Sequence, residues 1–140
     1  LIPAFLVNSG FFSSPSSSIF HYFLFSASFV FSSSIYFVFL FEVELANDGA
    51  QAIGLYRQAI ATGKPFDAVI LDLTVPGAMV GKEAIGRLRE IDADVKAIVS
   101  SGYSIDPVMS NYEEYGFCGV VEKPYNLQKL GETLNQILKL

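Results

Sequence analysis

The fold is decided by the stretch AVILDLTVPG, which occupies residues 68–77. Four apolar residues lead into Asp72, and a Pro-Gly turn follows shortly after it. A continuous apolar run bounded by turn signals is typical of a strand buried on both faces, as in a parallel sheet. Asp72 then lies at the carboxyl end of that strand, where open α/β sheets bind their ligands. Taken alone, an aspartate at such a place is more often a turn or helix-cap residue.

Composition excludes several classes of protein. The chain has 140 residues, enough for one domain with a hydrophobic core. A net charge of −5 and an isoelectric point near 4.7 argue against a nucleic-acid-binding surface, which would be basic. The single cysteine, Cys118, excludes an internal disulfide framework and fits a reducing, cytoplasmic compartment. The single histidine, His21, and the spacing of the carboxylates suggest no zinc site.

Residues 1–41 differ sharply from the rest of the chain. All 14 acidic and all 9 basic residues lie at or after Glu42, and the earlier residues are mostly Phe, Ser, Ile, Leu and Val. We therefore predict an atypical uncharged segment at 1–41 and a folded domain at 42–140. Residues 19–41 are long and apolar enough for a membrane-spanning helix, which would tether the chain. The same residues also fit core strands or an extension without a role in the fold, and all three alternatives stay open.

From Glu42 onward, strand patterns alternate with helix patterns. Strands are predicted at 42–46, 68–72, 96–100 and 119–123, and helices at 50–61, 81–91, 106–115 and 127–138. Alternation of this kind indicates right-handed βαβ units and a parallel sheet covered on both faces. The sequence therefore predicts a flavodoxin-like, doubly wound fold whose first strand and helix are atypical or replaced.

Three chemically useful side chains follow neighbouring strands of this predicted sheet. Asp72 ends one strand, Ser101 follows the next, and Lys123 lies at the end of the last. A carboxylate can accept a phosphoryl group, while an ammonium and a hydroxyl can counter the charge that the group brings. Nucleotide-binding and hydrolase motifs are absent from the sequence, so we predict a signalling module rather than an enzyme.

These residues resemble the receiver domain of two-component response regulators. The resemblance rests on Asp72, Pro76 and Gly81, on the segment VSSGY at 99–103, and on Lys123-Pro124. It covers residues 42–140, and the sequence from Ser101 to Lys123 is similar to that of the C-terminal receivers of hybrid sensor histidine kinases. A chain that stops just after its last helix fits a terminal receiver without a DNA-binding output domain.

The resemblance implies a five-stranded sheet in the order 2-1-3-4-5 and a role for each site residue. Asp72 would be the phosphoacceptor, Ser101 the switch hydroxyl and Lys123 the counter-charge of the phosphoryl group. Asp72 and the main-chain carbonyl of Thr74 would bind Mg²⁺, and the Lys123-Pro124 bond would be cis. The partner would be a sensor histidine kinase or a histidine phosphotransfer domain in a His-to-Asp phosphorelay.

The sequence departs from the receiver pattern in two places. Receivers carry an acidic pair after their first strand that helps to hold Mg²⁺, but residues 21–26 read HYFLFS. Residues 18–23 could form that strand and 26–41 a poor helix, whose apolar surface would favour self-association. Val120 stands where many receivers place an aromatic switch residue. The alternative prediction is therefore a degenerate receiver that binds a protein partner without being phosphorylated.

Overall fold

The computed structural model of the protein describes residues 4–8, 41–73, 81–102 and 107–139. The elements are β1 (Ala4–Asn8), β2 (Glu42–Ala46), α1 (Gly49–Ala61), β3 (Ala68–Asp72), α2 (Gly81–Ile91), β4 (Ala97–Ser101), α3 (Pro107–Ser110), a 3-10 helix (Tyr112–Tyr115), β5 (Gly119–Glu122) and α4 (Leu127–Leu138). The alternation predicted from Glu42 onward is confirmed. The single helix predicted at 106–115 is wrong, because Asn111 leaves helical geometry (φ −124°, ψ 36°) and separates α3 from the 3-10 helix.

The described strands form one five-stranded sheet in the order β2-β1-β3-β4-β5. The β3 and β4 strands are parallel, with Ile70 beside Ile98, and β4 and β5 are parallel, with Val99 beside Val120. The strand order and the helices on both faces confirm the predicted flavodoxin-like fold. One edge of the sheet therefore collects the carboxyl ends of β3, β4 and β5.

The first strand is the atypical part of this sheet. It pairs antiparallel with β2 on one side and with β3 on the other, so the sheet is mixed rather than wholly parallel. The prediction that residues 18–23 fill this central position is wrong, because Ala4–Asn8 occupies it. That prediction assumed a parallel strand followed by a helix, whereas an antiparallel strand needs no helical crossover. Residues 18–23 lie outside the described residues, as do all others from 9 to 40.

The sheet has a hydrophobic core on each face. Helices α1 and α2 cover the face that contains Val69 and Leu71. Helix α4 covers the other face, where Ala68 and Ile70 belong to the same cluster as Leu134. All five residues of β3 are buried, as the apolar run before Asp72 predicted. The carboxylate at the end of β3 therefore lies between two apolar layers.

Side-chain caps fix where two of the helices begin. Asp48 accepts a hydrogen bond from the backbone N–H of Gln51 at 2.7 Å and caps α1. Asn126 accepts from the backbone N–H groups of Gln128 and Lys129, at 2.9 and 3.2 Å, and caps α4. Such caps satisfy donors that the first helical turn leaves unpaired. Among the ranges that the structure describes, the helices are too short or too polar to cross a membrane.

Tyr56 connects α1 to the segment that follows α2. Its side chain is buried, and its hydroxyl donates a hydrogen bond to Asp92 Oδ2 at 2.7 Å. Its ring stacks on Phe66 with 6.4 Å between the ring centroids. Burial raises the pKa of Tyr56 well above its ordinary value of 10.0, and the hydrogen bond and charge of Asp92 raise this pKa further.

We expect Tyr56→Phe to lower the free energy of unfolding by about 1–2 kcal/mol near neutral pH, because Asp92 loses a buried donor. Folding raises the pKa of Tyr56, so the unfolded chain loses its phenol proton first as the pH rises. The contribution of this hydroxyl is therefore complete below about pH 10 and declines above it. Urea unfolding should show a difference in unfolding free energy between wild type and Tyr56→Phe that is constant up to about pH 9 and smaller at about pH 11. A difference that stays constant over this whole range would contradict this account.

Candidate functional site

The three side chains that the sequence pattern selects lie at one edge of the sheet. Asp72 ends β3, Ser101 ends β4, and Lys123 directly follows β5. Backbone hydrogen bonds continue the parallel pairing to the ends of these strands. The N–H of Leu73 donates to the carbonyl of Ser100, and the N–H of Lys123 donates to the carbonyl of Ser101, both at 2.9 Å. The backbone of each strand end is thus held by its neighbour.

Asp72 and Lys123 form an ion pair across the site. The Nζ of Lys123 donates a hydrogen bond to Asp72 Oδ2. The side chain of Asp72 is 1% exposed, whereas that of Lys123 is 22% exposed. Removing a carboxylate from water is costly unless a cation and hydrogen bonds compensate for it. Lys123 supplies that cation while keeping access to solvent, and an anion entering from solvent would meet it first.

The two serines at the end of β4 are fully buried and belong to different faces. Ser100 and Ser101 are both 0% exposed, and successive residues of a strand point to opposite sides of a sheet. Ser100 is in register with Asp72 on β3. Its hydroxyl lies 2.9 Å from the hydroxyl of Tyr125, and either group can be the donor. Ser101, the predicted switch residue, lies at the site edge beside the backbone of Lys123.

Two features near the strand ends agree with the resemblance to receiver domains. The Lys123-Pro124 peptide bond is cis, as implied. Gly81 opens α2 close to the site, where an added Cβ would lie 2.9 Å from Leu73 Cδ2 and 3.6 Å from the carbonyl oxygen of Asp72. A side chain at Gly81 would therefore require the Leu73 side chain to shift. Thr74, whose carbonyl was predicted to bind Mg²⁺, lies outside the described residues.

The residues that the structure describes do not fit a magnesium site of the expected kind. Because β1 is antiparallel, its first residue, Ala4, lies nearest the site edge, in register with Leu71 and Ala46. No group of three or more His, Cys, Asp or Glu side chains among the described residues is placed to hold a metal ion. Mg²⁺ in proteins is usually bound by one or two carboxylates together with phosphate oxygens and waters. Asp72 is therefore left without the acidic pair, which is also missing from residues 1–41.

Sequence reasoning missed two residues that lie beside the ion pair, Ser100 and Tyr125. The Tyr125 ring centroid is 5.8 Å from Lys123 Nζ. Its position two residues after Lys123 was a usable signal, since an aromatic residue so close to a predicted counter-charge is within reach of it. The contact with Ser100 spans 25 residues of sequence and had no local signal.

Comparisons with known proteins agree with this geometry. The family described as response regulator receiver domain matches residues 37–135. The chain is 29% identical over 104 residues to hybrid signal transduction histidine kinase I of Dictyostelium discoideum, covering 71% of this chain and only 6% of that kinase. It is 30% identical over 94 residues to the chemotaxis protein CheY of Thermotoga maritima, covering 67% of this chain and 73% of CheY.

A solved structure supports the fold. The receiver domain of sensor histidine kinase PA1611 from Pseudomonas aeruginosa PAO1, which has a magnesium ion coordinated in its active-site cleft, is similar with a TM-score of 0.58. The match covers 69% of this chain and 76% of that chain at 20% sequence identity. The family match spans most of the chain and includes the strand ends that carry Asp72, Ser101 and Lys123. The chain therefore belongs to the response regulator receiver domain family.

Proposed function

We propose that the chain is a phosphoacceptor receiver in a His-to-Asp two-component phosphorelay and that Asp72 accepts the phosphoryl group. The observation that carries this proposal is the buried Asp72 carboxylate paired with Lys123 at the carboxyl edge of the sheet. Receiver domains interact with histidine kinases or phosphotransfer partners, so the donor would be a phosphohistidine on such a protein. The phosphorylated form would then present a changed signalling surface to its target.

The chemistry required of the chain is modest. A carboxylate oxygen of Asp72 attacks phosphorus, the P–N bond of the phosphohistidine breaks, and the leaving imidazole keeps the electron pair and takes up a proton. Lys123 then counters the charge of the new acyl phosphate, and the hydroxyl of Ser101 donates a hydrogen bond to a phosphoryl oxygen. Phosphoryl transfer depends mainly on positioning and charge stabilisation, which these three residues would supply.

Incubation of the purified chain with acetyl phosphate, followed by intact mass spectrometry, tests the acceptor role. We expect the wild type to gain one phosphoryl group and Asp72→Asn to gain none, because the amide is a far weaker nucleophile. Asp94→Asn is the matched control, since Asp94 is an exposed aspartate in the loop before β4, and this variant should label as the wild type does. Label that persists in Asp72→Asn would place the acceptor elsewhere.

A second candidate function is favoured by the antiparallel first strand. Ala4 lies at the site edge, where an acidic pair would help to hold a metal ion, and residues 1–41 contain no acid. A degenerate receiver would bind its partner without phosphorylation, using the surface from Pro107 to Leu138 by analogy with the family. It predicts that the wild type fails to label and that partner binding is the same for wild type and Asp72→Asn.

We also propose that residues 42–140 form the receiver unit and that 1–41 are an atypical segment joined to it. The family match begins at residue 37, close to this boundary. From the earlier segment, Ala4–Asn8 supplies β1 and so completes the sheet. The unit at 42–140 consequently depends on β1 for its central strand.

A further inference from the structure

Tyr125 contacts three parts of the site edge and takes no part in the phosphoryl chemistry described above. Its ring centroid lies 5.8 Å from Lys123 Nζ. Its hydroxyl is within 2.9 Å of Ser100 Oγ, and its ring meets Phe5 edge-on, with centroids 6.0 Å apart and an interplanar angle of 81°. The ring is therefore attached to β4 at its hydroxyl end and to β1 along its side.

These contacts hold the ring against the rigid part of the molecule. Ser100 is fully buried near the carboxyl end of β4, where it is in register with both neighbouring strands, so the hydrogen bond ties Tyr125 to the sheet. Phe5 belongs to β1, which is paired on both sides. By contrast, Lys123 has a long, flexible side chain with many accessible rotamers. A fixed aromatic face near its ammonium restricts those rotamers, because the ring quadrupole attracts the cation.

We propose that Tyr125 is a positioning residue that keeps the Lys123 ammonium beside Asp72. The proposal rests on the proposed function, since it assigns a role to Tyr125 in preparing the acceptor site. Tyr125 acts through Lys123 and needs no contact with the phosphoryl group. Through Phe5, it also makes the site sensitive to β1, the strand that distinguishes this chain from the expected parallel sheet.

Hydrogen exchange of the lysine ammonium groups, measured by NMR on the full chain labelled with ¹⁵N lysine, tests the proposal. An ammonium held in an ion pair exchanges its hydrogens with water more slowly than a free one. We expect Tyr125→Leu to speed this exchange at Lys123 roughly two- to five-fold, as expected for the loss of one cation–π contact. Tyr125→Phe and Ser100→Ala each remove only the hydrogen bond between the two hydroxyl groups. Each should therefore give a smaller increase in the exchange rate at Lys123, and the two increases should be similar. Lys123→Arg assigns the signal.

The chain contains a matched control for the loss of an aromatic ring. The Tyr115 ring centroid lies 4.3 Å from Lys82 Nζ, so Tyr115→Leu removes the same type of contact from a lysine other than Lys123. This variant should speed exchange at Lys82 and leave Lys123 unchanged. Exchange at Lys123 that stays at the wild-type rate in a folded Tyr125→Leu would overturn the proposal. If Tyr125→Leu does not fold, unchanged exchange in both Tyr125→Phe and Ser100→Ala would overturn it.

The same variants separate this proposal from the proposed function. Exchange at Lys123 is measured without any phosphoryl donor, so it reports positioning whether or not Asp72 is labelled. A chain whose Lys123 exchange responds to Tyr125→Leu but which never labels would support positioning and count against the acceptor role. Normal labelling of Tyr125→Leu together with unchanged exchange would count against positioning and leave the acceptor role intact.

Discussion

Lys123→Met is expected to destabilise the domain by about 2–4 kcal/mol near neutral pH. The substitution keeps most of the apolar stem but leaves the Asp72 carboxylate, whose side chain is 1% exposed, without the ammonium that offsets its charge. Loss of one partner from a buried ion pair is costly because the remaining charge stays desolvated. We place the effect below the upper end of the usual range because the side chain of Lys123 is 22% exposed, so water can partly replace it.

Urea unfolding of four variants separates charge from packing. Asp72→Asn removes the desolvated charge itself, so it should be neutral or stabilising, and the double variant Asp72→Asn/Lys123→Met should recover most of the stability lost in Lys123→Met. Lys64→Met is the matched control at an exposed lysine and should change stability by less than about 0.5 kcal/mol. If the double variant is as unstable as Lys123→Met, the loss comes from the packing of the lysine stem.

The expected difference between Lys123→Met, which destabilises the domain, and Asp72→Asn, which does not, connects stability with the proposed chemistry. A site with one buried negative charge and one partly exposed ammonium is often no more stable than an apolar pair of similar size. A phosphoryl group attached to Asp72 would add negative charge next to the same ammonium. Lys123 can keep contact with that group because its side chain already reaches solvent. The buried charge of Asp72 thus lies where the domain is proposed to switch.

The strands and helices that the sequence predicted well are those set by the local spacing of apolar residues. The apolar residues before Asp72 could form only a buried strand once helices were predicted on both sides, and β3 is buried throughout. Helix α4 is capped by Asn126 and buries Leu134, as its apolar spacing indicated. The joint placement of Asp72 and Lys123 followed from parallel strand order, because carboxyl ends of parallel strands meet at one edge.

The direction and identity of the central strand could not be predicted in the same way. Alternation of side chains has a period of two residues and is the same when a strand is read in either direction. The stretch AFLVN at 4–8 therefore carries no signal for antiparallel pairing, and any apolar run in the first 41 residues was a candidate. The Ser100–Tyr125 hydrogen bond was missed for another reason, since it depends on how β4 packs against the segment before α4.

Leu6→Ala is expected to lower the free energy of unfolding by about 2–5 kcal/mol, because Leu6 is fully buried in the middle of the sheet. It belongs to the core cluster on the α1 and α2 face, where loss of its side chain leaves a cavity. Leu127→Ala is the matched control, since Leu127 is 56% exposed. That variant should change stability by no more than about 0.5 kcal/mol in urea unfolding. Equal effects of Leu6→Ala and Leu127→Ala on the free energy of unfolding would mean that β1 is not part of the core.

Engineered disulfides then test the direction of β1. Antiparallel pairing places Val7 beside Val43, whereas a parallel strand with Leu6 still opposite Glu44 would place Val7 beside Leu45. Directly paired residues satisfy the Cα separation that a disulfide needs, but positions two residues further along do not. With Cys118 replaced by serine, Val7→Cys/Val43→Cys should therefore cross-link on mild oxidation and Val7→Cys/Leu45→Cys should not, as read by the mass of the linked peptides after chymotrypsin digestion. The reverse result would mean that β1 is parallel to β2, and its carboxyl end, rather than Ala4, would then face Asp72.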